Sequence, residues 1–118
     1  MRMMVALALV LTGSAALADE VGDAHKLALQ GRDSYWNCLA REYMRPDATA
    51  MSAQDFTADV AGACPSERQN FRVALLDYLS LQFPDNEAGA NLTTANHAIE
   101  LAQKDVVTAF VHRKAARN

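Results

Sequence analysis

Proline, glycine and cysteine are all scarce in this chain of 118 residues, which has three prolines, five glycines and two cysteines. So few prolines and glycines exclude a collagen-like or low-complexity chain, and the length excludes several domains. With so few glycines there is no glycine-rich phosphate loop, and no serine lies in a nucleophile-elbow pattern. The composition therefore predicts one small domain that carries no catalytic or cofactor signature.

The first eighteen residues differ in composition, because 14 of them are apolar and only Arg2 is charged. Arg2, the apolar run 3–11 and the small residues Ala16 and Ala18 follow the order of a secretory signal peptide. The apolar stretch is about 15 residues long, and a membrane-spanning helix needs about 20. We predict a leader at 1–18, cleaved after Ala18, and a single mature domain at 19–118, periplasmic or secreted, with no integral membrane segment.

The chain also lacks a large net charge of either sign. The mature part has 14 acidic and 10 basic side chains, a formal charge of −4. A weakly acidic exported domain is a poor ligand for nucleic acid, so we expect no nucleic-acid partner. The histidines are far apart in the sequence, and only His97 and Glu100 lie one helical turn apart, so we expect no metal and no other cofactor. The pairs of neighbouring carboxylates are interpreted as solvated helix faces, and the chain is predicted not to be an enzyme.

The two cysteines are Cys38 and Cys64, both in the mature part. Two cysteines in a small exported chain predict one intramolecular disulfide, because the compartment is oxidising. Too few cysteines are present for a thiolate metal site, and there is no Cys-x-x-Cys motif. We therefore predict a structural disulfide between Cys38 and Cys64.

Apolar residues recur with a period near 3.6 and nowhere alternate as in a strand, so the predicted fold is all-α, a small bundle of about four helices. The first helix is predicted at 23–45, with Asp23 as its N-cap. Leu27 is assigned to its core face, and Gly31 to a close helix approach or a slight bend.

Three further helices are expected after the first. Ser52 is a good N-cap for a helix that runs to about Ala63, and Pro65 is expected to open the next one, to about Gln82. Cys64 would then sit at the junction between them. A loop is predicted at 87–90, and Asn91 or Thr93 is expected to cap a last helix that continues to the end of the chain.

The last helix has an unusually wide apolar stripe and a basic final turn. The stripe is wider than packing on one neighbour requires, and the basic residues complement the negative end of the helix dipole. We predict that the exposed part of this face contacts a protein partner or a second copy. The predicted contact residues are Leu101, Val106, Val107, Phe110, Val111, Arg113 and Lys114.

The segments around the two cysteines, Trp36-Asn37-Cys38 and Ala63-Cys64 followed by Gln69-Asn70-Phe71, have a layout that resembles the acid-stress chaperones of the HdeA type. Those proteins are exported, helical and held by one disulfide, but their cysteines are further apart. The resemblance implies an acid-activated holdase as an alternative function. The preferred hypothesis is a non-enzymatic accessory or adaptor protein that acts through protein contacts, and a small ligand-binding protein is a further alternative.

Overall fold

A computed structural model describes residues 10–117, with side chains from Leu17 onward. Its elements are α1 (Val10–Met44), a short 3₁₀ helix (Pro46–Ala50), α2 (Ala53–Gly62), α3 (Pro65–Gln82) and α4 (Ala88–Arg117). Within the described residues there is no strand, which confirms the prediction of an all-helical fold. No helix among residues 10–117 combines the length and the hydropathy that a membrane span requires.

Helix α1 begins 13 residues earlier than predicted, at Val10 instead of Asp23. Asp23 is inside the helix and is not its N-cap, because the alanine- and leucine-rich residues before it are strong helix formers that extend α1 backwards. The predicted leader is only partly visible: 1–9 lies outside the described residues, and 10–18 forms the first turns of α1. From Leu17 to Asp23 every side chain is exposed except that of Val21, which is half-buried.

Helix α2 begins as predicted. The hydroxyl of Ser52 accepts a hydrogen bond from the backbone N–H of Asp55 at 3.0 Å, and so satisfies one of the donors that a helix N-terminus leaves unpaired. Helix α2 buries Phe56 and Val60 one turn apart, and it ends at Gly62.

The chain breaks between α2 and α3 at Cys64, as predicted. Cys64 is in the left-handed region with a φ of 55°, and Pro65 opens α3 with no N–H to leave unsatisfied. The Cys38–Cys64 pair lies at disulfide distance, with the Cα atoms 6.1 Å apart. The predicted disulfide is therefore confirmed, and it ties the break to the C-terminal part of α1.

Helix α4 begins at Ala88, so the loop predicted at 87–90 and the caps predicted at Asn91 or Thr93 are wrong. The carbonyl of Glu87 accepts hydrogen bonds from the N–H groups of Ala90 and Asn91, which starts the helix earlier. Both predicted caps have other partners. The Thr93 hydroxyl donates to the carbonyl of Gly89, and the buried Asn91 accepts from the side chain of Asn86 at 3.3 Å.

The bundle has three helical segments in chain order. The first is α1, the second consists of α2 and α3 with a break between them at Cys64, and the third is α4. Helices α1 and α4 run parallel, because Tyr35 pairs with Gln103 and Tyr43 with Arg113 further along both helices. Helix α3 runs antiparallel to α1, since His25 stacks on Tyr78 and Cys38 meets Cys64. The stacking of Phe56 on Phe110, at 4.1 Å between ring centroids, joins α2 to the end of α4.

The hydrophobic core lies between the three helical segments. Its largest fully buried side chains are Tyr35, Phe56, Phe110, Leu39, Val60 and Val106. Helices α1 and α3 approach most closely at Gly31, where an added Cβ would lie 3.0 Å from the Cα of Phe71. The close helix approach predicted for Gly31 is thus confirmed, and the side chain it lacks is what allows the two backbones to meet there.

Candidate functional site: two surface concavities

The structure divides the contact surface predicted on α4. Val106 and Phe110 are 2% and 1% exposed and lie in the core, so they are not available to a partner. The prediction placed them on the surface because it counted α4 as packing on one neighbour, whereas α4 packs on α1, α2 and α3. Val107 is half-buried against the core. Leu101 and Val111 are exposed, and they are ten residues apart on the helix.

The two basic residues of that predicted surface, Arg113 and Lys114, form hydrogen bonds with backbone carbonyls of the same chain. Arg113 donates a hydrogen bond to the carbonyl of Tyr43 at 2.9 Å, and its guanidinium lies 3.8 Å from the centroid of the Tyr43 ring. Lys114 donates to the carbonyl of Met51. Both side chains therefore satisfy carbonyls at or beyond the end of α1, where the last four carbonyls have no partner within the helix. This role was not predicted, because it depends on which helix end α4 passes.

A groove between α1 and α3 has a volume of about 520 Å³. Leu27 and Val73 line it from opposite helices, and each is 56% exposed. The prediction that Leu27 faces the core is wrong, because α1 meets α3 along the line of Ala24, Ala28 and Gly31, which turns Leu27 outward. The other lining residues are small or polar: Gln30, Gly31, Ser34, Asn70, Ala74 and Asp77.

A second, smaller concavity of about 330 Å³ lies where α2, α3 and α4 meet. Its polar lining comprises Arg68 and Arg72 from α3 and Asn96, Glu100 and Gln103 from α4. Ile99 and Ala61 supply its apolar part. We call this concavity the arginine cleft. Sequence analysis did not single out the two arginines, although their spacing of four residues places both on one face of α3.

Arg45, in the link after α1, is surrounded by carboxylates from three elements. Its guanidinium nitrogens lie 2.9 Å from Glu42, 3.4 Å from Asp59 and 3.5 Å from Asp47. Burial raises the pKa of Glu42 above its ordinary value, and the hydrogen bond with Asp59 raises it further, although the charge of Arg45 acts in the opposite direction. One cation therefore holds together three acidic groups that repel each other.

The side chains that could bind a metal do not form a vacant site in the described residues. His97 and His112 are exposed, and His25 stacks on Tyr78 with ring centroids 4.9 Å apart. The one close group of ligating side chains consists of Cys38, Cys64 and Glu67. Its two sulfur atoms are bonded to each other, so they are not thiolates that could bind an ion.

Compared with known proteins, the chain matches no family model, no curated protein and no solved structure.

Proposed function

We propose that this chain is an exported, non-enzymatic helical protein that acts by binding another protein through the groove between α1 and α3. The observation on which this depends is the exposure of Leu27 and Val73 within one concavity of about 520 Å³. Apolar side chains in a surface groove are typical of sites that receive a partner's side chain. Leu101 and Val111, by contrast, are ten residues apart, and a rise of about 1.5 Å per residue places them about 15 Å apart along α4.

The shape and charge of the groove favour a partner helix. Gly31, Ser34 and Ala74 are small, so another helix can approach the two backbones closely. Asp77 is the one charged residue that lines the groove. An amphipathic helix that presents apolar residues towards Leu27 and Val73 and a basic residue towards Asp77 would therefore be complementary.

Export is supported by the order of residues in the leader and by the pairing of the only two cysteines. A disulfide persists outside the cytoplasm, where thiols are not kept reduced. We therefore propose that the mature protein is periplasmic or otherwise secreted and meets its partner there.

The test is photocrosslinking in the native periplasm from a photoreactive amino acid at position 73. We expect one discrete adduct, in which the attached peptide is an amphipathic helix with a basic residue. The double variant Leu27→Lys/Val73→Lys, made to block binding by charge, should prevent co-elution of the partner in size-exclusion chromatography.

The matched control is Leu101→Lys/Val111→Lys, which adds the same charge at the same number of exposed positions on α4. This control should leave binding unchanged. Loss of binding in the control but not in the groove variant would show that the partner binds to α4 and not to the groove, and would overturn the proposal. An adduct between two copies of the chain would identify the partner as the chain itself.

A further inference from the structure

The arginine cleft contains two cationic groups with no anionic partner. Among the described residues, no carboxylate oxygen lies within 4.0 Å of a nitrogen of Arg68 or Arg72. Arg68 donates to the carbonyl of Ala61. Arg72 donates to the side-chain oxygens of Asn96, at 3.0 Å, and of Gln69. All three acceptors are neutral, so two positive charges remain on one wall of the cleft.

Glu100 lines the same cleft and forms no ion pair with either arginine. The hydrogen bonds of the arginines go to Ala61 of α2 and Asn96 of α4 instead of to Glu100. The arginine cleft, of about 330 Å³, is therefore lined by two guanidinium groups and one carboxylate that do not form an ion pair with each other. A cavity of this size is at the lower end of the range of about 300–1,000 Å³ that is typical of ligand sites.

The neutral side chains of the cleft have defined hydrogen-bonding roles. Gln103 donates its Nε2 to the hydroxyl of Tyr35 at 3.0 Å, which leaves its Oε1 as an acceptor. Asn96 accepts from Arg72 through Oδ1, which leaves its Nδ2 as a donor. The lining thus contains donors for an anion and acceptors for a cation.

We propose that the arginine cleft binds a small zwitterion, a molecule that carries a carboxylate and an ammonium group. The carboxylate would be bound by Arg68 and Arg72, whose planar guanidinium groups suit carboxylates, and the ammonium group by Glu100 and Gln103. A phosphate dianion is disfavoured because Glu100 would repel it. This inference is independent of the groove between α1 and α3, and the failure of one leaves the other standing.

The test is a titration of the full mature protein followed by NMR of its backbone amides. L-alanine and the dipeptide Ala-Ala are the probes, and acetate, methylammonium and inorganic phosphate are matched fragments. We expect shifts at Asn96, Glu100 and Gln103 with at least one zwitterion, and about tenfold weaker binding of each fragment. The two probes distinguish a free amino acid from a short peptide.

Two charge-removing variants identify the ligand groups. Arg68→Gln and Glu100→Gln should each weaken zwitterion binding about tenfold, as expected for loss of one charge-assisted hydrogen bond. Arg117→Gln, at the exposed end of α4, should have no effect. The proposal is overturned if neither zwitterion shifts the cleft residues, if phosphate binds as tightly, or if Arg117→Gln weakens binding to the same extent.

Discussion

Cys64 combines a covalent bond with an unfavourable backbone conformation. A residue with a Cβ costs about 1–2 kcal/mol in the left-handed region, and glycine does not. Cys64 is the one non-glycine residue of the described chain with a positive φ. The position therefore keeps a cysteine at the cost of some backbone strain.

This strain can be measured once the disulfide is removed from both variants. We expect Cys38→Ser/Cys64→Gly to be more stable than Cys38→Ser/Cys64→Ser by about 1 kcal/mol, because glycine adopts the left-handed conformation without a Cβ clash. Urea unfolding of the two variants gives the difference in the free energy of unfolding. Equal stability would mean that the break changes its backbone conformation when the disulfide is absent.

Gly31 gives a second prediction at a single residue. Alanine is normally favoured over glycine inside a helix by about 1 kcal/mol, but the added Cβ at Gly31 would press on the backbone of Phe71. We expect Gly31→Ala to lower the free energy of unfolding by about 1–3 kcal/mol, the usual cost of overpacking. Gly22→Ala is the control in the same helix, because an added Cβ there has no atom within 4 Å. Thermal unfolding in which both variants are stabilised would contradict the close approach.

Single residues could be predicted from sequence when their roles are local. Ser52 as a cap, Pro65 as a helix start and Gly31 as a contact point each follow from the chemistry of that residue. Leu27 and Arg113 could not be predicted, because their roles depend on which helix lies beside them. The arginine cleft has the same origin, since residues from α2, α3 and α4 become neighbours only in the folded chain.

At the scale of the element, the C-terminal end of α1 is held by other parts of the chain. Arg113 from α4 satisfies one of its last carbonyls, and Arg45 joins Glu42 of α1 to Asp59 of α2. The end of α1, Arg45 after it and helix α2 are therefore connected by ion pairs.

The raised pKa of Glu42 makes the stability of this region depend on pH. A carboxyl whose pKa is higher in the folded protein favours folding when protonated. That contribution is complete below the ordinary value of 4.5 and is lost as the pH rises through the raised value. We expect Glu42→Gln to be more stable than the wild-type protein at pH 7 and equally stable at pH 4, measured by urea unfolding. Lower stability of the variant at pH 7 would show that the ion pair with Arg45 outweighs the burial.

Helix interiors were easier to predict than helix ends. The buried stripe of α4 keeps the spacing of Ala95, Ile99, Ala102, Val106 and Phe110 that the sequence indicates. The starts of α1 and α4 were predicted too late. In α1, alanine and leucine residues of high helix propensity continue the helix past Asp23, and in α4 the hydrogen bonds from Ala90 and Asn91 to the carbonyl of Glu87 start the helix before Asn91.

At the scale of the whole molecule, export is the hypothesis with the most direct measurement. We expect the protein isolated from its native host to begin at Asp19 and to contain no free thiol, because the leader is removed and both cysteines are paired. Intact-mass spectrometry with and without a thiol-alkylating reagent checks both points. A mass that retains Met1, or two alkylated cysteines, would contradict export.

Net charge is the other property of the whole chain, and it is the basis of the acid-stress alternative. Protonation of all 14 carboxylates and three histidines would change the mature chain from −4 to +13, since 10 basic side chains and three histidines would be charged. Repulsion of this size loosens many small proteins. The raised pKa of Glu42 acts against such loosening, so at this site acid strengthens the fold.

The disulfide fixes the position of the break between α2 and α3, because Cys64 at that break is bonded to Cys38 of α1. Without the disulfide, no covalent bond would tie Cys64, the residue between α2 and α3, to α1. In the disulfide-bonded protein, Cys64 is bonded to Cys38, six residues before the C-terminal end of α1. On the proposed export route the disulfide forms only after translocation, so the precursor would cross the membrane without this covalent link.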